Sequence, residues 1–200
     1  MKKDKIYIDF DGTLFDTDAF YKEFLSLCTK NGITEEEVKE CEKKIFDDNN
    51  LFNLVKLSNY IIEKFSLDSS LLDKTKSLFS DKFIYDDVIM PLRKLRKSYE
   101  LILLTFGDED QKDKISATGL EKYFSEIIIT QKDKSQLKNV DYKNGIFIDN
   151  NPKELIRFYN KGVKKVIRIR RSIDKYSKID TNIKEILEYE DFSELVEKEF

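Results

Sequence analysis

Histidine is missing from all 200 residues. That one absence removes Ser-His and Cys-His nucleophile pairs, histidine-ligated zinc and the commonest general base. Cysteine is scarce: Cys28 and Cys41 lie in stretches of helical periodicity, form no CxxC or Cys/His metal pattern, and read as buried reduced thiols. No apolar run approaches the roughly 20 residues that cross a bilayer. The N-terminal Met1, Lys2, Lys3 and Asp4 run straight into a strand-like segment, so neither anchor nor secretory signal is expected, and the cytoplasm is the default location. Long blocks of one charge are lacking too, and with them a nucleic-acid arm or a polybasic membrane patch. The densest basic cluster, Arg168, Arg170 and Arg171, is short and reads as a solvated edge after a strand. There is no internal repeat and no low-complexity segment.

What is present is a chain with 38% charged residues whose signs nearly cancel, to a net −3, and with 15 Phe and 10 Tyr spread along it. Disorder needs lower hydrophobicity and a larger net charge, so this composition describes a folded, soluble protein with a salt-rich surface. The length suits one core, or one core carrying a smaller inserted module. Catalysis in such a chain has to run on carboxylates, lysine, hydroxyls and a hard metal ion.

Five short segments rich in β-branched and aromatic residues read as buried strands: 5–9 (KIYID), 101–105 (LILLT), 126–130 (EIIIT), 145–149 (GIFID) and 165–169 (KVIRI). Helical stretches at 111–118, 135–138 and 153–161 separate the last four. Alternation of this kind predicts an α/β, Rossmann-like fold with a parallel five-stranded sheet and helices on both faces. Right-handed crossovers then gather the strand C-termini on one edge.

Between the first two strands lie about 80 residues without a convincing strand, filled by helical patterns at 19–31, 35–47, 51–65 and 69–84. Thr34 followed by Glu35, Glu36 and Glu37 is a good helix start, and Gly32 suits the stop before it. We read this excursion as an all-helical cap domain, residues 16–90, inserted into a core made of residues 1–15 and 91–200. Phe20, Tyr21 and Phe24 recur at helical spacing in it; such a stripe is core, although the lid face turned to the site has to read the substrate.

The first strand ends in Asp9-Phe10-Asp11-Gly12-Thr13. In extended backbone, residues two apart point the same way, so Asp9 and Asp11 share a side. Paired carboxylates at a sheet mouth repel each other unless a cation or a special task holds them there. Gly12 permits a tight turn and close ligand approach. Alone, DxDG is also compatible with an acidic turn or half a calcium loop; an EF-hand is disfavoured because Phe20 stands where its closing glutamate would fall.

The run IDFDGTLFDT at 8–17 resembles the first motif of the haloacid dehalogenase (HAD) superfamily. The resemblance extends in order over essentially the whole chain: LLTFG at 103–107, Lys132 and Lys134, then FIDNNP at 147–152, each at an expected strand end. Four ordered motifs are far more specific than a lone DxDGT, and the helical excursion is similar to that family's cap of the first type.

The resemblance implies a Mg²⁺-dependent phosphomonoester phosphatase. Asp9 is similar to the nucleophile that becomes an aspartyl phosphate. Asp11 is similar to the acid that protonates the leaving oxygen and then takes a proton from water. Thr105, with the N–H groups of Phe106 and Gly107, resembles the phosphoryl-binding hydroxyl and amides. A lysine after the third strand supplies fixed positive charge; Lys134 is preferred because it directly precedes the expected helix at Ser135, with Lys132 as its rival. Asp149, with Asp9 and the backbone carbonyl of Asp11, resembles the Mg²⁺ site. One departure stands out: many relatives carry a second acid beside or shortly after Asp149, where this chain has Asn150, Asn151 and Pro152. An amide there takes a charge from the metal shell, though Asn150 would still orient a metal-bound water or Lys134.

Other polar residues have simpler readings. Asp16 and Thr17 suit an N-cap at the entry to the helical stretch; Asp108 and Asp110 look like the start of a helix running through Gln111 and Ile115 to a stop at Gly119. The expected partner is a small phosphate ester such as a sugar phosphate, nucleotide or glycolate-type ester, since a lid limits access by polymers. Neither nucleic acid nor membrane is expected, and the protein is expected to be a monomer or weak dimer. A phosphomutase is the nearest alternative; a catalytically weak phosphate-binding or regulatory protein is the rival from another class.

Overall fold

A computed structural model describes residues 3–46 and 53–200. Its centre is a parallel sheet of six strands, β1 (Lys5–Ile8), β2 (Glu100–Phe106), β3 (Glu126–Thr130), β4 (Ile146–Asp149), β5 (Lys165–Ile169) and β6 (Leu187–Tyr189). Their spatial order is β3-β2-β1-β4-β5-β6. Side chains alternate across the pleat: Ile6, Ile8, Leu101, Leu103, Ile148, Ile167 and Ile169 enter one apolar cluster, while Tyr7, Ile102, Leu104, Phe147 and Val166 enter the other. Both faces are therefore covered, as all-parallel strands require.

The helices are α1 (Thr17–Lys30), α2 (Glu35–Ile45), α3 (Leu54–Phe65), α4 (Ser70–Ser77), α5 (Ile89–Ser98), α6 (Glu109–Thr118), α7 (Pro152–Asn160) and α8 (Phe192–Glu199). Helix α7 packs Leu155 and Phe158 on the Tyr7 face; α5, α6 and α8 cover the other with Leu92, Leu95, Ile115, Phe192 and Leu195. Local signals set their ends as the sequence suggests. Asp16 accepts from Ala19 N–H at 2.8 Å to cap α1, and Thr34 and Glu37 form a reciprocal capping box on α2. Helices α1 to α4 fill the excursion between β1 and α5. Their core is continuous with that of the sheet: Phe10 stacks on Phe15 and Phe15 meets Phe20 edge to face, at 5.0 and 5.4 Å between ring centres. No helix among the described residues is long and apolar enough to cross a membrane.

Four expectations need correction. The sheet has six strands, not five: β6 has only three residues, too few to show a period, and it lies beyond β5. In consequence Arg168 and Arg171 are not a solvated edge; they are 0% and 8% exposed. Arg168 donates to the carbonyls of Ile179 at 2.6 Å and Tyr176 at 2.7 Å, and to Glu188 of β6 at 3.1 Å. The helix expected at 69–84 breaks after α4, because Asp16 N–H bonds Phe83 O at 2.7 Å and Tyr85 N–H bonds Leu14 O at 3.1 Å, drawing that segment into extended pairing with the end of the β1 turn. Between β3 and β4 there is one 3-10 turn, Lys134–Gln136, where a helix was expected at 135–138; four residues are too few to nucleate an α-helix. Residue 47 of the expected second helix and residues 51 and 52 of the third lie outside the described residues.

The chain leaves β1 for β2 on one side and returns to β4 on the other. Strand order reverses there, and the crevice beyond the strand ends at such a switch point is where open α/β sheets take ligands.

Candidate active site

Register brings the strand ends together. Ile8 pairs with both Leu103 and Ile148, so the residues that follow β1 face the last residues of β2 and β4. Asp9 is tied in directly, its N–H donating to Ile148 O at 2.9 Å. Lys134 joins it to Asp149, and Thr105 lies near the end of the neighbouring strand β2; the three are 5%, 2% and 1% exposed, with Asp9 itself at 6%. These groups are closed over. A groove of about 470 Å³ elsewhere is lined by Lys22, Leu25, Ser26, Thr29, Lys30 and Glu35, none of which belongs to this cluster.

The Lys134 ammonium donates to Asp9 Oδ1 at 2.5 Å and Asp149 Oδ2 at 2.8 Å. Lys132, its rival, is exposed. Lys134 reaches inward because Asp133 accepts from Ser135 N–H at 2.8 Å and the Tyr142 hydroxyl donates to Lys134 O at 2.5 Å, holding the short turn on both sides. Burial alone would lower the lysine, but Asp149 and then Asp9 outweigh it and hold the ammonium above its ordinary range. One lysine between two carboxylates leaves a surplus negative charge. Burial first, and the Asp149 charge second, push Asp9 up to about 7.

Asp11 points along the same edge to different partners. Its carboxylate accepts from Lys114 Nζ at 2.6 Å, Gln111 Nε2 at 2.7 Å and Thr17 Oγ1 at 2.8 Å. Burial works to raise it, but Lys114, then Thr17 and Gln111, prevail and hold it below the usual carboxylate range. Gln111 Nε2 also donates to Thr105 Oγ1 at 2.9 Å, so one amide spans the gap between the Asp11 carboxylate and the Thr105 hydroxyl. Gly107 makes this approach possible: a Cβ there would stand 2.5 Å from Gln111 Cβ. The Gly107 N–H donates to Thr130 O at 3.0 Å and is engaged in the strand ladder, while Phe106 is 38% exposed beside it.

Helix α3 meets the same loop. Asn53 Nδ2 donates to Asp108 Oδ2 at 2.8 Å and Val55 N–H to Asp110 Oδ2 at 2.9 Å, which puts two acids against the positive end of α3. Asp108 also caps α6, as the sequence implies, by accepting from Asp110 N–H at 3.1 Å.

Sequence reasoning passed over Gln111 and Lys114 and gave Thr17 only a capping role. A signal existed: Gln111, Lys114, Ile115 and Thr118 form the buried i, i+3, i+4, i+7 stripe of α6, and two polar residues on such a stripe need buried partners.

Among the described residues, no cluster of three or more Asp, Glu, His or Cys side chains is arranged around a metal position. Two carboxylates do converge, Asp9 and Asp149, with oxygens close enough to share one cation in place of the ammonium. Buried nearby, Glu154 Oε2 has no hydrogen-bond partner, and the Asp149 charge helps burial to raise its carboxyl. Hard oxygen donors with surplus negative charge fit a divalent cation such as Mg²⁺.

No family model matches the sequence, and no curated protein matches it. Solved structures do. A Burkholderia xenovorans protein assigned as a haloacid dehalogenase-like hydrolase superposes with a TM-score of 0.78 at 18% identity, over 100% of this chain and 97% of its own. A HAD phosphatase from Thermococcus onnurineus gives 0.64 at 22% identity, over 98% and 97%. A Bacillus subtilis protein assigned as a HAD-hydrolase, solved bound to magnesium, gives 0.62 at 14%, over 98% of each chain. The chain therefore has the α/β fold of the HAD-superfamily hydrolases over its whole length. Structures named for a β-phosphoglucomutase and for L-2-haloacid dehalogenases share that fold, so the fold alone does not choose the reaction.

Proposed function

We propose that this protein is a Mg²⁺-dependent phosphomonoester phosphatase of the HAD superfamily that acts on a small phosphorylated metabolite through an aspartyl phosphate on Asp9. The observation that carries the reading is the meeting of Asp9 and Asp149 on Lys134, with Asp11 two residues from the nucleophile and Thr105 joined to Asp11 through the Gln111 amide. Residues 1–15 and 91–200 form the catalytic core, and residues 16–90 act as its lid.

Asp9 attacks phosphorus; Asp11, a carboxylate in the free protein, takes up the proton of the monoanionic phosphate ester as it binds and passes it to the leaving oxygen. Asp11 then takes a proton from the water that hydrolyses the aspartyl phosphate. Thr105 Oγ1 and Lys134 hold phosphoryl oxygens, and substrate displaces the Gln111 amide from between Thr105 and Asp11. The carboxylates of Asp9 and Asp149 and the backbone carbonyl of Asp11 would hold Mg²⁺, whose double charge offsets the surplus negative charge and that of the phosphoryl group. A halide needs no proton when it leaves, so the paired Asp11 favours an oxygen leaving group over dehalogenation.

Purified protein is expected to release phosphate from p-nitrophenyl phosphate only with Mg²⁺, and Asp9→Asn is expected to abolish this. Full activity in Asp9→Asn would refute the assigned nucleophile. The closure of the acids from solvent favours one second reading, a phosphomutase that returns the phosphoryl group to a sugar; isomerised sugar phosphate as product, in place of free phosphate, identifies it.

A further inference from the structure

We propose that Asp174 is a positioning residue for the cation site: acting through Asn150 from the loop after β5, it sets a fixed negative charge behind the residue next to Asp149 and steadies the turn that bears Asp9 and Asp11. This deepens the phosphatase reading and rests on it.

Asn150 Nδ2 donates to Asp174 Oδ2 at 2.5 Å, and the two residues are 4% and 7% exposed. An ionised carboxylate only accepts, so the amide must turn its nitrogen toward Asp174 and its oxygen the opposite way. The orientation of Asn150, next in the chain to Asp149, is thus dictated by its partner. A buried, charge-assisted bond of this kind is roughly twice as strong as a neutral one.

The partner is itself held in place. Asp174 Oδ1 accepts from Tyr176 N–H at 3.0 Å, and the Asp174 N–H donates to Arg171 O at 3.3 Å. The Arg171 guanidinium lies 4.0 Å from the Tyr85 ring centre and binds Asp87 through two donors at 2.6 and 3.0 Å. It also donates to Thr13 O at 3.0 Å, and the Thr13 hydroxyl donates to Asp9 Oδ2 at 3.2 Å. The loop after β5 therefore grips the turn that bears the nucleophile. Gly12 is the floor of this arrangement: a Cβ there would collide with the Asn150 amide nitrogen and stand 3.4 Å from Asp174 Oδ2. Nothing in the sequence near Asp149 announces this acid, because it arrives from beyond the next strand.

The test is isothermal titration of the whole metal-free protein with MgCl₂, alongside its thermal midpoint without metal. Asp174→Asn is expected to weaken Mg²⁺ binding by about tenfold or more while the metal-free midpoint stays near that of the unchanged protein. The exchange N150D/D174N, which moves the carboxylate across the hydrogen bond, is expected to return affinity to within about threefold of the unchanged protein. Equal affinity in Asp174→Asn overturns the inference and leaves the phosphatase reading standing. Weakened binding that the exchange does not recover also overturns it, since that result describes a loop support only. Should Asp174→Asn fail to fold, the exchange alone decides by the same criterion. Absence of Mg²⁺ binding by the unchanged protein removes both readings.

Discussion

Asp9 and Asp149 each set a carboxylate oxygen on one shared ammonium, that of Lys134, at 2.5 and 2.8 Å. All three side chains are nearly closed to solvent, so water screens neither the attraction nor the surplus charge. The behaviour of the protein without metal follows from that imbalance.

Replacing Lys134 by methionine leaves two buried carboxylates facing each other with no cation between them. Breaking a buried ion pair from one side costs about 3–5 kcal/mol. Urea denaturation without metal should register a loss of that order, and millimolar Mg²⁺ should recover part of it. A loss below about 1 kcal/mol, the scale of a surface pair, would mean that the cluster is more solvated than the structure describes.

Stability should also depend on pH through Asp9. Folding raises its carboxyl from 3.8 to about 7, so between those values the folded chain holds more protons than the unfolded one. The stability this group contributes is complete below the lower value and is lost as pH rises through the upper one. The metal-free thermal midpoint should decline across that window more steeply than in Asp9→Asn, and Mg²⁺ should stabilise the protein more above the window than below it. Parallel profiles for the two proteins would contradict the assignment.

Lys114 lies 5.1 to 5.8 Å from the ring centres of Phe10, Phe15 and Phe20, and its charge is the chief influence holding Asp11 low. Methionine suits that ring-lined space without the charge. Lys114→Met should therefore move the Asp11-dependent limb of the pH–rate profile toward higher pH, and because the pair is largely closed to solvent, stability should fall by up to about 3 kcal/mol. An unmoved limb would show that Lys114 does not govern the proton carrier.

Gly12 adopts a φ of +75°, in the left-handed region, and its missing Cβ makes room for Asn150. Gly12→Ala combines the left-handed penalty of about 1–2 kcal/mol with displacement of that amide. Denaturation should give at least that loss, and Mg²⁺ affinity should fall with it.

Asn53 caps α3, accepting from Lys56 N–H at 2.7 Å while its amide donates to Asp108. Asn53→Ala should cost about 1 kcal/mol through the lost cap. Hydrogen exchange should quicken in the first turn of α3, where the helix leans on the loop that follows Thr105; unchanged exchange would argue against that contact.

Much of the fold was legible because its signals are local. Strands β3 and β5 coincide with the expected residues, since runs such as EIIIT and KVIRI leave little doubt about a strand buried on both faces. Capping by Asp16 and Thr34, and the stop at Gly119, were likewise written within one turn of each helix end. Strand β6 was not legible, because three residues carry no period. Nor was the break after α4, which depends on pairing with residues 14–16 from the start of the chain. Arg168 and Arg171 were misplaced for a related reason: whether a basic residue after a strand is solvated depends on what lies next to that strand.

Among the candidate site residues, the sequence by itself determined which acids, hydroxyl and lysine stand at strand ends, because strand period and chain order decide which side chains share an edge. Partnership only the tertiary structure decided. It brought Lys134 in place of Lys132 between Asp9 and Asp149, turned Gln111 and Lys114 of α6 onto Asp11, and set Asp174 against Asn150. Each of those contacts joins residues far apart in the chain, and their strength depends on burial and exclusion of water, quantities that exist only once the strands have been laid side by side.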